Sequence, residues 1–210
     1  MIVAMPLAIP KIVPDNWEVF EKIWNEHSKP LVKVAYKEDG PYKSASGVGD
    51  ANLWNSLDIY RSQSHNTIWD APFFDIKDAL PNMYKSILNL PVEVQTVRII
   101  SSIQEILPHS DTGENRWEIR AFLRCEDPLK EWYFTPLGRQ DEKTYFKMPE
   151  DTNWFAYNDS LCHHGSHVNI QIPKLLIQVY YSGNLLDVVK YVSISKYREY
   201  IINFDEVKNG

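Results

Sequence analysis

The chain has 210 residues, 44% hydrophobic and 24% charged, with a formal net charge of −6, a composition that suits one globular domain with a sizeable core and excludes a disordered chain. No run of consecutive Lys/Arg residues reaches the size of a basic block, so nucleic acid, whose phosphates call for clustered cations, is not an expected partner. Cys125 and Cys162 form no CxxC pair, which leaves no zinc knuckle or disulfide framework and fits reduced thiols in a cytoplasmic protein.

The first residues, MIVAMPLAIPKIVP, are apolar but broken by Pro6, Pro10 and Pro14. They lack the basic start and unbroken apolar run of a signal peptide. No stretch has the length of a membrane span, so no membrane partner is expected. After Pro14, Asp15 is placed to cap a helix and Glu18 to complete a capping box. Trp17, Phe20, Ile23 and Trp24 then share one helical face. LVKVAY is a short strand candidate, and the segment from Glu38 to Asn52, with Gly40, Gly47 and Gly49, reads as a loop. From Ala71 to Leu90 the pattern is helical, with Pro81 as a break or a second start.

From Val92 the pattern changes. VEVQTVRII, SIQEIL, WEIRAFLRC, EWYFTP, KTYFKM, NWFAYN and KLLIQVYY are short runs rich in β-branched and aromatic residues. Gly113, Pro128, Gly138, Pro149 and Gly165 punctuate them, as in a β-sandwich or barrel. The tail, SKYREYIINF, reads as a helix. The expected architecture is a single domain over 1–210, mainly β with flanking helices. Residues 1–91 form a helical N-terminal part with a few strands, 92–182 the β core, and 183–210 a C-terminal segment that is helical at its end.

Candidate chemistry lies in two segments. In SIQEILPHSDTGENRWEIRAFL, His109 and Asp111 share the parity of Ile103 and Leu107, so an extended chain presents them on one side. In DSLCHHGSHVNIQIPKLLIQVYY, His163, His164 and His167 precede the last strong strand. His163 and His164 are adjacent, so a strand sends them to opposite sides and only one can join a common site. One carboxylate and two imidazoles on one face make the donor set of non-haem Fe(II). Two cations stand nearby in the pattern. Lys174 opens the last strand run in the parity of Leu176, Gln178 and Tyr180. Arg120 and Arg124 share the parity of Glu118 and Phe122. An inward arginine needs an anion, which a dicarboxylate or Glu118 would supply.

HxD at a strand end, a run of strands, His164-Gly165 and a cation ten residues later together resemble the Fe(II)/2-oxoglutarate-dependent oxygenases, over roughly Val97 to Tyr181. The aspartyl/asparaginyl β-hydroxylase-like branch is the most similar, with IRAFL standing where that branch has R-x-H-L. Phe122 replaces the histidine of that motif, and Lys174 stands where arginine is usual. The resemblance implies a double-stranded β-helix, a jelly-roll and cupin-like core. It implies Fe(II) held by His109, Asp111 and His164, the last chosen over His163 by its place before Gly165. Arg120 and Lys174 would neutralise the distal carboxylate of 2-oxoglutarate as cosubstrate. The implied reaction is hydroxylation of a small molecule or a peptidyl or free amino acid. Two competing expectations are a cupin-like binding protein without redox activity, and a zinc-dependent hydrolase built on His163, His164 and His167.

Overall fold

The structure is a computed structural model and describes residues 1–30, 54–62, 72–102, 106–109, 117–124, 132–167 and 174–204. In chain order its elements are β1 (Ile2–Pro6), α1 (Trp17–His27), β2 (Lys29–Pro30), β3 (Trp54–Arg61), α2 (Pro81–Leu88), β4 (Glu93–Ser102), β5 (Ile106–His109), β6 (Trp117–Arg124), β7 (Trp132–Pro136), β8 (Thr144–Tyr145), β9 (Trp154–Asn158), β10 (Cys162–Ser166), β11 (Lys174–Ser182), α3 (Asp187–Lys196), a 3-10 turn (Arg198–Tyr200) and β12 (Ile202–Asn203). Among the described residues the fold is mainly β, with few helices. An eight-stranded sheet has the order β12-β1-β9-β6-β11-β4-β3-β2, and a four-stranded sheet the order β5-β10-β7-β8. The pairings between these strands are antiparallel.

Alternation of side chains gives the larger sheet two different faces. Leu57, Ile99, Ala121 and Ile177 point to one side and pack against Phe20 and Ile23 of α1 and Met83 and Ile87 of α2. Phe122, Phe155, Tyr157 and Leu176 point to the other and meet Trp132, Phe134, Phe146 and Cys162 from the smaller sheet and its flank. The T-shaped pair Phe134–Phe146 and the contacts Phe146–Phe155 and Phe134–Tyr157, at centroid separations of 5.2 to 5.6 Å, tie the two sheets face to face.

The strand-rich runs from Val92 onward become β4 to β9 and β11. Strands β1, β2, β3, β10 and β12 go beyond that reading. β1 joins the larger sheet beside β9 despite its prolines. β3 pairs with β4. β10 contains Gly165, expected as a turn residue, because it is a central strand held between β5 and β7. The β core therefore draws on chain before Val92. The helical pattern from Ala71 resolves into α2 alone, with Pro81 at its first turn as the second start; Phe73 instead bridges to Asp58 of β3. The C-terminal helix is displaced: α3 ends at Lys196, and the chain finishes its described part in β12 against β1 rather than in a helix. Gly138 closes the turn after β7 at φ +76°, where a side chain would be strained. LVKVAY and the loop from Glu38 lie outside the described residues. No helix among the described residues is long and apolar enough to cross a membrane.

Two local devices place the helices and one arginine. Asn16, not Asp15, caps α1, its side chain accepting from the amides of Glu18 and Val19 at 2.8 and 3.2 Å. Asp15 caps α2 instead, accepting from the amides of Asn82 and Met83 at 3.0 Å, so one short segment anchors both helices. On β6 a bulge at Leu123 sets Arg124 against Leu175 while Phe122 stays against Leu176. The added residue turns Arg124 away from the face it was expected to share with Arg120. It pairs with Glu21 of α1 at 3.1 Å. Asn153 then clips the N-terminal segment to β6, its amide donating to the carbonyls of Ile12 and Phe122 at 2.7 and 2.8 Å.

A buried ion pair holds β3 on β4. Asp58 is fully buried and accepts from Nε of Arg98 at 2.6 Å and Nη2 of Arg61 at 2.8 Å. Burial works against the Arg98 charge, but Tyr180 and Asp58 outweigh it and hold the guanidinium protonated. Replacing Asp58 by Asn should cost about 3–5 kcal/mol in urea unfolding, because two guanidinium groups lose their counter-charge, and Arg98→Met in the same chain should recover part of it. Asp15→Ala should cost about 1 kcal/mol. Burial raises the Asp15 carboxyl and the Met83 and Asn82 amides lower it further, to a net value below 3.8. The cap therefore contributes fully at neutral pH, and the gap between wild type and Asp15→Ala should close as pH falls through that lowered value.

Candidate functional site

β5 ends at His109, and His109 is the cross-strand partner of His164 on β10. Partners across a ladder share a face, and these two imidazoles lie with centroids 4.5 Å apart. The face is the inner one. The His164 ring stacks on Trp132 of β7 at 5.4 Å and 19°, and tilts against Tyr157 of β9, on the opposite sheet, at 4.8 Å. His164 is buried and His109 half-buried. A 4.0 Å gap separates Nδ1 of His164 from Oδ1 of Asp159, a carboxylate with no exposed surface in the turn between β9 and β10.

The larger sheet carries polar side chains on its inner face, and one of them reaches the pair through Tyr157. Arg120 of β6 is buried on the inner face and donates from Nη2 to the Tyr157 hydroxyl at 3.1 Å. Tyr157 thus touches both the arginine and the histidine named from the sequence. Gln178 of β11 is the register partner of Arg120 and of Arg98, and Arg98 is that of Asp58. Asp58, Arg98, Gln178 and Arg120 form one row across four strands. Glu118, also buried, precedes Arg120 by two residues on the same strand. Charged groups placed this deep are rare unless paired or used, and their concentration on one face marks a candidate site.

The other two histidines of the later segment, His163 and His167, point elsewhere. His163 is partnered with Thr135 and so emerges on the reverse side of β10. Burial lowers its pKa, and His109 adds to that while Asp159 opposes it. His167 is hydrogen-bonded to the Tyr145 hydroxyl at 2.8 Å and lies against Tyr133, on the same reverse side. The structure does not bring His163, His164 and His167 together, as a zinc site would require. Cys162 does face inward, and burial pushes its thiol up to about 12, with Asp159 adding to the effect.

Asp111 lies outside the described residues, as does the side chain of Lys174, whose backbone opens β11. Among the described residues no group of three His, Cys, Asp or Glu side chains is arranged to hold a metal ion. His109 and His164 fit two nitrogen positions of a two-histidine, one-carboxylate set, and the expected carboxylate is the one not described. Sequence reasoning missed Trp132, Tyr157 and Asp159. The two aromatics sit in runs that read as ordinary sandwich core. Asp159 reads as a turn residue, normally solvated, and nothing in its spacing signals burial.

Compared with known protein families and with curated proteins, the chain matches none.

Proposed function

We propose that this chain is a non-haem Fe(II)- and 2-oxoglutarate-dependent dioxygenase that hydroxylates a small-molecule or peptidyl substrate. The observation that carries the reading is the His109–His164 pair, 4.5 Å apart across β5 and β10, on a spot that Arg120 reaches through Tyr157. Strand order supports the jelly-roll core that this reading requires. From β4 to β11, the first strand pairs with the last, the second with the seventh, the third with the sixth and the fourth with the fifth. A long hairpin rolled into two sheets, as in a double-stranded β-helix, has this pairing.

His109 and His164 would hold iron together with Asp111, a nitrogen and oxygen donor set suited to Fe(II) with open positions left over. Bound iron with 2-oxoglutarate supplies the oxidising power for C–H hydroxylation, with dioxygen as oxidant and succinate and carbon dioxide as coproducts. The chain's own residues do the rest. Arg120 carries a fixed charge in a buried place, where it can balance a carboxylate more strongly than in water. The Tyr157 hydroxyl fixes its guanidinium plane. Lys174 is the second cation in this reading, without the bidentate geometry of an arginine. Trp132 and Tyr157 flank the His164 ring, limit its rotation and keep water from that side.

Two measurements test this. By electron paramagnetic resonance under anaerobic conditions, His164→Gln should weaken Mn(II) binding by more than the roughly 10–100-fold typical of outer-shell changes, while His163→Gln should change it only slightly. Equal losses from both would overturn the choice of His164. Second, Fe(II)-dependent succinate formation from 2-oxoglutarate should disappear in Asp111→Ala; equal turnover in the two proteins would sink the triad. A wild type that takes Mn(II) but no 2-oxoglutarate in calorimetry would point instead to a binding protein on the same sandwich.

A further inference from the structure

We infer that Asp159 is the positioning residue for His164: it holds the imidazole proton on Nδ1 and so directs the Nε2 lone pair to the face shared with His109. For the metal, this rests on the reading above; for the proton, it rests on geometry alone.

The geometry begins in the β9–β10 turn. The Asn158 side chain accepts from the Ser160 amide at 3.0 Å and the Ser160 hydroxyl at 2.8 Å, and the Leu161 amide closes on the Asn158 carbonyl at 3.0 Å. Such an Asx turn fixes the backbone on either side of Asp159. Turn residues usually project into water, yet this carboxylate is 0% exposed and its Oδ1 stands 4.0 Å from Nδ1 of His164, itself 3% exposed. A carboxylate taken out of water needs an interaction with positive charge or polar hydrogen. At this range its field favours a proton on the near ring nitrogen and disfavours a lone pair there. The ring cannot readily flip to offer the other edge, because Trp132 stacks on it and Tyr157 leans against it. Metal-ligating histidines commonly have their second nitrogen oriented by a carboxylate in this way. The turn, the burial and the stacked ring thus converge on one function, which is to keep Nε2 unprotonated and aimed inward.

Ring-nitrogen NMR of the full, metal-free chain tests this directly, at a pH well above the ordinary histidine range so that the imidazoles are neutral. The His164 signals are assigned by their loss in His164→Gln. Wild type should show His164 protonated on Nδ1. Asp159→Ala should lose that preference, and so should Asp159→Asn, which removes the charge at nearly the same volume. In parallel, Asp159→Ala and Asp159→Asn should each weaken Mn(II) binding about 10–100-fold. A wild-type His164 protonated on Nε2 overturns the inference without any variant, and so does a proton position indifferent to Asp159→Ala. An Asp159-dependent proton position in a wild type that binds no Mn(II) would uphold the positioning role and reject the iron site instead.

Discussion

Charge taken out of water has to be balanced inside the protein, and the inner face of the larger sheet carries Asp58, Arg98, Glu118 and Arg120, all buried. A sandwich assembled only for stability would fill those positions with Val or Leu, since buried ion pairs seldom outdo apolar packing. Here the two ends of the face are divided. Ile100, Leu176 and Phe122 supply apolar contact at one end, while the row from Asp58 to Arg120 is polar at the other. Asp58 balances Arg98 within the sheet. Arg120 donates to the Tyr157 hydroxyl, which helps to orient its guanidinium.

Which side chains reach that face follows from the two-residue period of a strand and from the places where the period slips. His163 and His164 are chemically equivalent in the sequence, and one residue of register sends them to opposite sides of β10. Arg120 and Arg124 have the same parity, yet the bulge at Leu123 removes Arg124 to the helix side, where Glu21 receives it. Without the bulge a second guanidinium would crowd the inner face.

This accounts for what could be read beforehand. The β character after Val92, the inward side of Arg120 and the common face of His109 with one later histidine are all consequences of periodicity, and periodicity is visible in residue types. β10 was hidden because Cys-His-His-Gly-Ser has none of the β-branched residues that mark a strand; its neighbours β5 and β7 make it one. The caps were exchanged for a similar reason. Asp15 and Asn16 are both competent caps, and only the approach of α2 in three dimensions decides that Asp15 serves it. The bulge on β6 and the burial of Asp159 depend wholly on non-local contact, and no local signal announces either.

The candidate site is divided between two sheets that, among the described residues, share no hydrogen-bonded ladder. The smaller sheet presents His109 and His164, the larger presents Arg120, and Tyr157 is the one described side chain shown to touch both His164 and Arg120. Their separation is therefore set by how closely the sheets pack, and the aromatic layer of Phe134, Phe146, Phe155 and Tyr157 sets that distance. Well-packed interiors have little room to adjust, so a change of ring size in this layer would be felt at the imidazole–guanidinium spacing before it was felt in the fold. Seen this way, the aromatic richness of the chain is part of the site's geometry: the rings between the sheets act as the spacer that lets two sets of polar groups meet in a dry place.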